Sequence, residues 1–98
     1  ENMSWLELPD GTRQEIFGSG GGQEVADSLT RAIGSEVKLL GQIPLDTRLR
    51  IGADEGMPVV LGSPDSPAAV ALRGIARGLA TRSRGLAGRS LGLTPAGR

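Results

Sequence analysis

Three short stretches of this chain carry residue types that could do chemistry. Gly18-Ser19-Gly20-Gly21-Gly22 leads into a helical pattern, and backbone amides at a helix start can hold an anion. A phosphate-binding loop also needs a Gly-Lys-Ser/Thr ending, because the lysine neutralises phosphate and the hydroxyl holds Mg²⁺. Gln23 and Glu24 follow instead, so the plainer reading is a strand-to-helix turn. Ile43-Pro44-Leu45-Asp46 falls where a strand is expected to end and a helix to begin, the edge at which open α/β sheets bind ligands. A rigid proline beside an apolar side chain can pack on a purine face while nearby backbone groups read the base edge; the alternative is a proline turn with an aspartate cap. Asn2, next to Glu1, offers both donor and acceptor to a base edge, or else satisfies local backbone.

Much chemistry is excluded outright. The chain has no Cys, His or Tyr, so a Ser–His–Asp triad, a cysteine nucleophile and a Cys/His zinc site cannot be built from it. Catalysis must use carboxylates, Arg, Lys, hydroxyls or backbone amides, or residues outside these 98. Trp5 and Phe17 are the only aromatics, so a core must come from Leu, Ile, Val and Ala. No apolar run approaches the roughly 20 residues needed to span a bilayer, and the expectation is a soluble, cytoplasmic chain. Residues 1–80 hold seven Arg/Lys and eleven Asp/Glu, whereas 81–98 hold four Arg and no acid. The body is acidic and the tail basic. Glu1 in place of an initiator Met suggests a start partway through a longer gene product.

The positioning elements follow from local pattern. Pro9-Asp10-Gly11-Thr12 is a turn with a mechanism: Pro presets a dihedral, Asp bonds nearby backbone and Gly tolerates positive φ. Strands around Trp5–Leu8 and Arg13–Phe17 complete a hairpin. Val25, Ala26, Leu29 and Ile33 recur at helical spacing from Gln23 to Ile33, with Gly34 as a stop. Val37–Ile43 reads as a strand covered on both faces. Asp46 caps a short helix through Asp54, Gly56 and Pro58 close it, and Val59–Leu61 is briefly extended. A serine cap and a following proline in Ser63-Pro64-Asp65-Ser66-Pro67 open a last helix, with Ala69, Leu72, Ile75, Ala76 and Leu79 on one face. Beyond Thr81 a mobile tail is expected.

Together these pieces are more specific than any one alone. ENMS at 1–4, a hairpin, IFGSGGG at 16–22, IPLDTRLR at 43–50, DEGMPVVL at 54–61 and SPDSPAAVAL at 63–72 occur in the order and spacing of the C-terminal portion of the Mrp/ApbC family. The chain resembles that family over nearly all of 1–80, and its basic tail resembles the ending of actinobacterial members. The resemblance implies an α/β fold: residues 1–80 as the C-terminal part of a P-loop NTPase-like parallel sheet flanked by helices, with a small β-hairpin insertion, and 81–98 as a disordered tail. It implies a MinD/ParA-like homodimer that encloses ATP and Mg²⁺, with the phosphate loop and magnesium ligands upstream of Glu1. Such a fragment is inactive alone. By motif alignment, Asn2 faces adenine and Pro44, Leu45 and Asp46 form the other side of that pocket.

Members of the family carry iron–sulfur clusters to apo-proteins, and many place a Cys-x-x-Cys pair just after ENMS. Here that stretch is Trp5-Leu6-Glu7-Leu8-Pro9-Asp10-Gly11, without a thiol. Clusters need soft sulfur ligands, for which Glu7 or Asp10 are poor replacements; Trp5 and Leu6 could instead make an apolar dimer contact. Two rival readings stand beside this one. One is a module binding nucleic acid or an acidic partner through Arg82, Arg84, Arg89 and Arg98, although four dispersed charges without interleaved aromatics give only a modest, salt-screened attraction. The other is a structural fragment that only packs or dimerises.

Overall fold

A computed structural model describes residues 1–87. In chain order the elements are β1 (Leu6–Glu7), β2 (Arg13–Gln14), α1 (Gly21–Ile33), α2 (Thr47–Glu55), α3 (Val59–Gly62) and α4 (Pro67–Ala87). The hairpin forms where the turn chemistry places it, with shorter strands than expected: Leu6 pairs with Gln14 and Glu7 with Arg13, antiparallel. Its turn works as the residue types dictate. The Asp10 carboxylate accepts from the Thr12 amide (3.0 Å) and hydroxyl (2.6 Å), and Gly11 sits at φ 84°.

The expected strand over 37–43 is not a regular strand. What exists is a one-sided, same-direction pairing with the first residues of the chain. The Glu1 nitrogen donates to the Gly41 carbonyl (2.9 Å), Ile43 N–H to Glu1 C=O (2.8 Å), Ser4 N–H to Ile43 C=O (3.0 Å) and Leu45 N–H to Trp5 C=O (2.8 Å). A parallel bridge between Leu6 and Leu45 ends it. An uninterrupted parallel ladder advances equally on both sides. Here the chain passes from Glu1 to Trp5 while its partner moves only from Ile43 to Leu45, so two surplus residues, Asn2 and Met3, bulge out. Met3, at φ 55°, is the only non-glycine residue with positive φ among those described. The expected parallel sheet is thus reduced, among the described residues, to this bulged pairing beside a two-stranded antiparallel hairpin.

The helices follow their caps. α1 stops at Gly34, whose φ of 80° lets its N–H reach the Thr30 carbonyl. α2 begins behind Asp46, as expected, and closes at Gly56. Val59–Leu61 is helical rather than extended: the N–H groups of Leu61 and Gly62 both reach the Pro58 carbonyl at 2.9 Å. Val59 is buried where α3 packs between α2 and α4, and docking overrides the β-branched preference. α4 opens on a Ser66 cap, whose hydroxyl accepts from Ala69 N–H at 3.2 Å. It runs past Thr81 to Ala87, into the stretch expected to be a tail; residues 88–98, with Arg89 and Arg98, lie outside the described residues.

The core is small. Among the described residues, the buried apolar ones are Ala26, Val59, Ala68 and Ala69, joined by the fully buried Pro44. Most of the larger aliphatics stay in contact with solvent, among them Ile33 at 63% and Leu61 at 71% exposure. Val25, Leu29, Val37, Leu39, Leu40 and Ile75 line an open apolar concavity of about 720 Å³ between α1, the 37–41 segment and α4. No helix among the described residues is long and apolar enough to cross a membrane.

Candidate functional site

The bulged pairing and α2 meet at Ile43–Asp46, and this junction opens onto a concavity of about 410 Å³ lined by Leu6, Glu7, Leu45, Asp46, Arg48 and Pro67, among others. That volume is in the range of small-molecule pockets, about 300–1,000 Å³. Leu6 and Leu45 come together because the parallel bridge joins them. Arg48 and Arg50 lie on its other wall, Arg50 paired with Asp54 at 2.9 Å in an exposed i,i+4 ion pair.

Of the residues singled out in the sequence, Leu45 and Asp46 line this concavity. Pro44 does not, because its side chain is fully buried. The proline ring is therefore not a free platform for a purine; it stiffens the turn from beneath, and Leu45 supplies the apolar wall. Asn2 stands outside the lining, on the exposed bulge, where its Oδ1 accepts the Met3 N–H at 2.9 Å. Its neighbour Ser4 donates its N–H to the Ile43 carbonyl, immediately before Pro44.

Asp46 is more committed than its position in the motif suggests. Its side chain is only 3% exposed. One oxygen accepts from the Arg48 amide and Arg48 Nε, both at 3.0 Å, and the other from the Ala68 amide at 3.3 Å. The same carboxylate thus caps α2 and ties it to the first turn of α4. Burial pushes its carboxyl up, but the Arg48 side chain, the Arg48 and Ala68 amides and the Arg48 charge together hold it below the ordinary aspartate value. With its oxygens so engaged, Asp46 can offer a ligand mainly its backbone.

The glycine-rich loop is occupied in a similar way. Gly20 provides no side-chain cap for α1, and the Gly22 amide of the first turn donates to Glu1 Oε1 at 2.6 Å. A carboxylate from this chain takes the place an external anion would use. The other Glu1 oxygen accepts from the Ser4 hydroxyl at 2.7 Å and the Gln42 amide at 2.9 Å. With Ser4, then Gln42, then Gly22 as its donors, the Glu1 carboxyl is lowered to about 2. Gly22 has to be glycine here, since a Cβ would lie 2.9 Å from Glu1 Cβ and 3.0 Å from Leu39 Cδ1.

Asn2 stands out by residue type, whereas its neighbour Glu1 has its role set by partners that include groups 21 and 41 residues away. Local pattern gives no signal for such contacts. Trp5 has one ring face covered by the Arg13 guanidinium, 3.9 Å from the centroid. The chain contains neither Cys nor His, and the described residues hold no cluster of three or more potential metal ligands. The residues present do not fit an iron–sulfur cluster.

Comparison with known proteins agrees with the motif order. The ParA family profile, described as NUBPL iron-transfer P-loop NTPase, matches residues 1–80. The iron-sulfur cluster carrier proteins of Mycobacterium tuberculosis and Mycobacterium leprae are 59% and 56% identical over all 98 residues, which cover 26% of each of those proteins. That of Deinococcus radiodurans is 47% identical over 81 residues, 82% of this chain and 21% of the relative. The chain therefore spans about a quarter of the length of the mycobacterial relatives. A profile match over residues 1–80, on an α/β chain whose Ile43–Asp46 turn lies where a parallel bridge runs into a helix, shows that this chain belongs to the ParA-type iron-transfer P-loop NTPase family.

Proposed function

We propose that this chain forms the base-side wall of the nucleotide site in an ATP-binding, ATP-hydrolysing iron–sulfur cluster carrier, within a polypeptide about four times as long. The observation that carries this reading is the Ile43–Asp46 junction, where a same-direction pairing ends in a concavity of about 410 Å³ beside a helix start. Leu45 and Leu6 give an apolar surface for a purine. Asn2, on the exposed bulge outside that lining, is assigned to the adenine edge by motif alignment, and its amide suits such an edge. Pro44 and the Asp46 carboxylate hold the turn rigid and leave its backbone to the base. ATP supplies a phosphoryl group whose transfer needs a lysine-bearing loop and magnesium ligands, and these belong to the remainder of the polypeptide.

In the same reading, the 37–43 segment is one strand of a larger parallel sheet. The apolar concavity bounded by Val25, Leu29, Leu40 and Ile75 is then covered by the rest of that domain, and the whole works as a cytoplasmic homodimer. The cluster is cargo passed to apo iron–sulfur proteins, and its thiolate ligands come from outside these 98 residues. The test uses the full-length protein prepared without oxygen, measuring ATP turnover and bound iron for the native sequence and for Asn2→Ala. ATP turnover with bound iron, and an ATP affinity reduced about tenfold or more in Asn2→Ala, is expected if the amide makes a bidentate base contact. Native protein that neither binds nor hydrolyses ATP would sink the reading.

A further inference from the structure

The exposed bulge at Asn2–Met3 is held at both feet. On one side Glu1 pairs through its backbone with Gly41 and Ile43. Its carboxylate also bonds the Gly22 amide of α1, the Ser4 hydroxyl and the Gln42 side chain, at 2.6, 2.7 and 2.9 Å. On the other side Ser4 is buried, donates its N–H to Ile43 C=O, and shares its hydroxyl between the Glu1 carboxylate and the Glu1 carbonyl. Between these feet Asn2 and Met3 are exposed, and Met3 keeps a left-handed φ of 55°. A non-glycine residue holds that conformation only where its surroundings impose it, and such positions cluster at ligand sites. The Met3 N–H donates to Asn2 Oδ1 at 2.9 Å, which restrains the amide. One intramolecular bond leaves an amide with donors and an acceptor lone pair to spare.

We infer that Glu1 is a positioning residue for Asn2: its carboxylate clamps the bulge to α1 and to Gln42, and so sets the amide that discriminates the nucleotide base. This rests on the nucleotide reading above and adds to it a residue that need not touch the ligand. The clamp joins points 21 and 41 residues apart in the chain, so it also couples the placement of Asn2 to the packing of α1. Fixing a recognition group in its bound geometry raises selectivity by removing the cost of ordering it on binding.

The experiment compares native full-length protein with Glu1→Ala, Glu1→Gln, Ser4→Ala, Asn2→Ala and the Glu1→Ala/Asn2→Ala double variant. Affinities for ATP and GTP are measured by equilibrium titration, alongside KM and kcat for ATP. Asn2→Ala is expected to lower the ATP:GTP affinity ratio about tenfold or more, as loss of a bidentate base contact would. Glu1→Ala should lower that ratio in the same direction, chiefly through KM, and the double variant should discriminate no worse than Asn2→Ala alone. Glu1→Gln, which keeps an acceptor for the Gly22 amide, should recover part of the ratio. Ser4→Ala, which cuts one strut only, carries the test if Glu1→Ala does not fold, and should shift the ratio less. An unchanged ratio in folded Glu1 and Ser4 variants, or losses that add in the double variant, overturns the clamp while leaving the base reading intact. No effect of Asn2→Ala itself overturns both.

Discussion

Replacing Asp46 by alanine removes a single carboxylate from two helix starts at once. The cap on α2 contributes about 1 kcal/mol, the usual cost of losing an aspartate N-cap. The bond to the Ala68 amide, 3.3 Å long, adds about 0.5–1 kcal/mol. The Arg48 pair adds little, because Arg48 is 52% exposed and such pairs contribute ~0.5 kcal/mol. The sum is about 2 kcal/mol, and it should be localised. Hydrogen exchange in the full-length protein should therefore quicken in the first turns of α2 and α4, and much less in α1. The Asp46→Asn variant, by contrast, keeps the cap, since asparagine is as good an N-cap as aspartate, and should lose less than half as much. The pH dependence has a defined sign. Asp46 is depressed in the folded state, so its contribution is complete above the unfolded aspartate value, ~3.9, and is lost as pH falls through the lower folded value. Asp46→Asn should flatten that part of the acid limb. If Asp46→Ala shifts the urea midpoint no more than Asp46→Asn, or leaves exchange in the first turn of α4 unchanged, the bridging role is refuted.

Two glycines of the helices should respond in opposite ways. Gly52→Ala would gain about 1 kcal/mol from helix propensity, but its Cβ would strike the Met57 carbonyl oxygen, whose own N–H is bonded to Gly52 C=O; net destabilisation of about 1–3 kcal/mol is expected by denaturant titration. Gly78→Ala meets nothing within 4 Å and should stabilise α4 by up to about 1 kcal/mol, seen as slower amide exchange across 74–82; unchanged or faster exchange would contradict it.

Much of the local structure was legible because its causes are local. The Asp10–Thr12 turn, the Gly34 stop, the Asp46 cap and the Ser66–Pro67 start each depend on groups within a few residues. Where the structure of the described residues departs from local pattern, the source is common. Val59–Leu61 carries a β-branched pattern, yet burial of Val59 beside α4 makes it helical. Val37–Ile43 carries a strand pattern, yet its pairing depends on residues 1–6, where the bulge at Met3 breaks the ladder. α4 continues past Thr81 to Ala87 because Ala, Leu and Arg are good helix formers, whereas the acid-free, basic composition of that stretch pointed to a tail.

The candidate site divides in the same way. Sequence placed Leu45 and Asp46 at the junction of an extended segment and a helix start, where the structure has them line a concavity, and motif order alone named the family. It also determined, through the absence of Cys and His, that this chain cannot ligate a cluster through thiolate or imidazole. Only the tertiary structure decided that the Pro44 ring is buried, that the Asp46 carboxylate spans two helices, and that Glu1 fills the start of α1. The physical reason is range: caps and turns are set by neighbours in sequence, whereas burial and long-range hydrogen bonds depend on which distant segments the fold brings together.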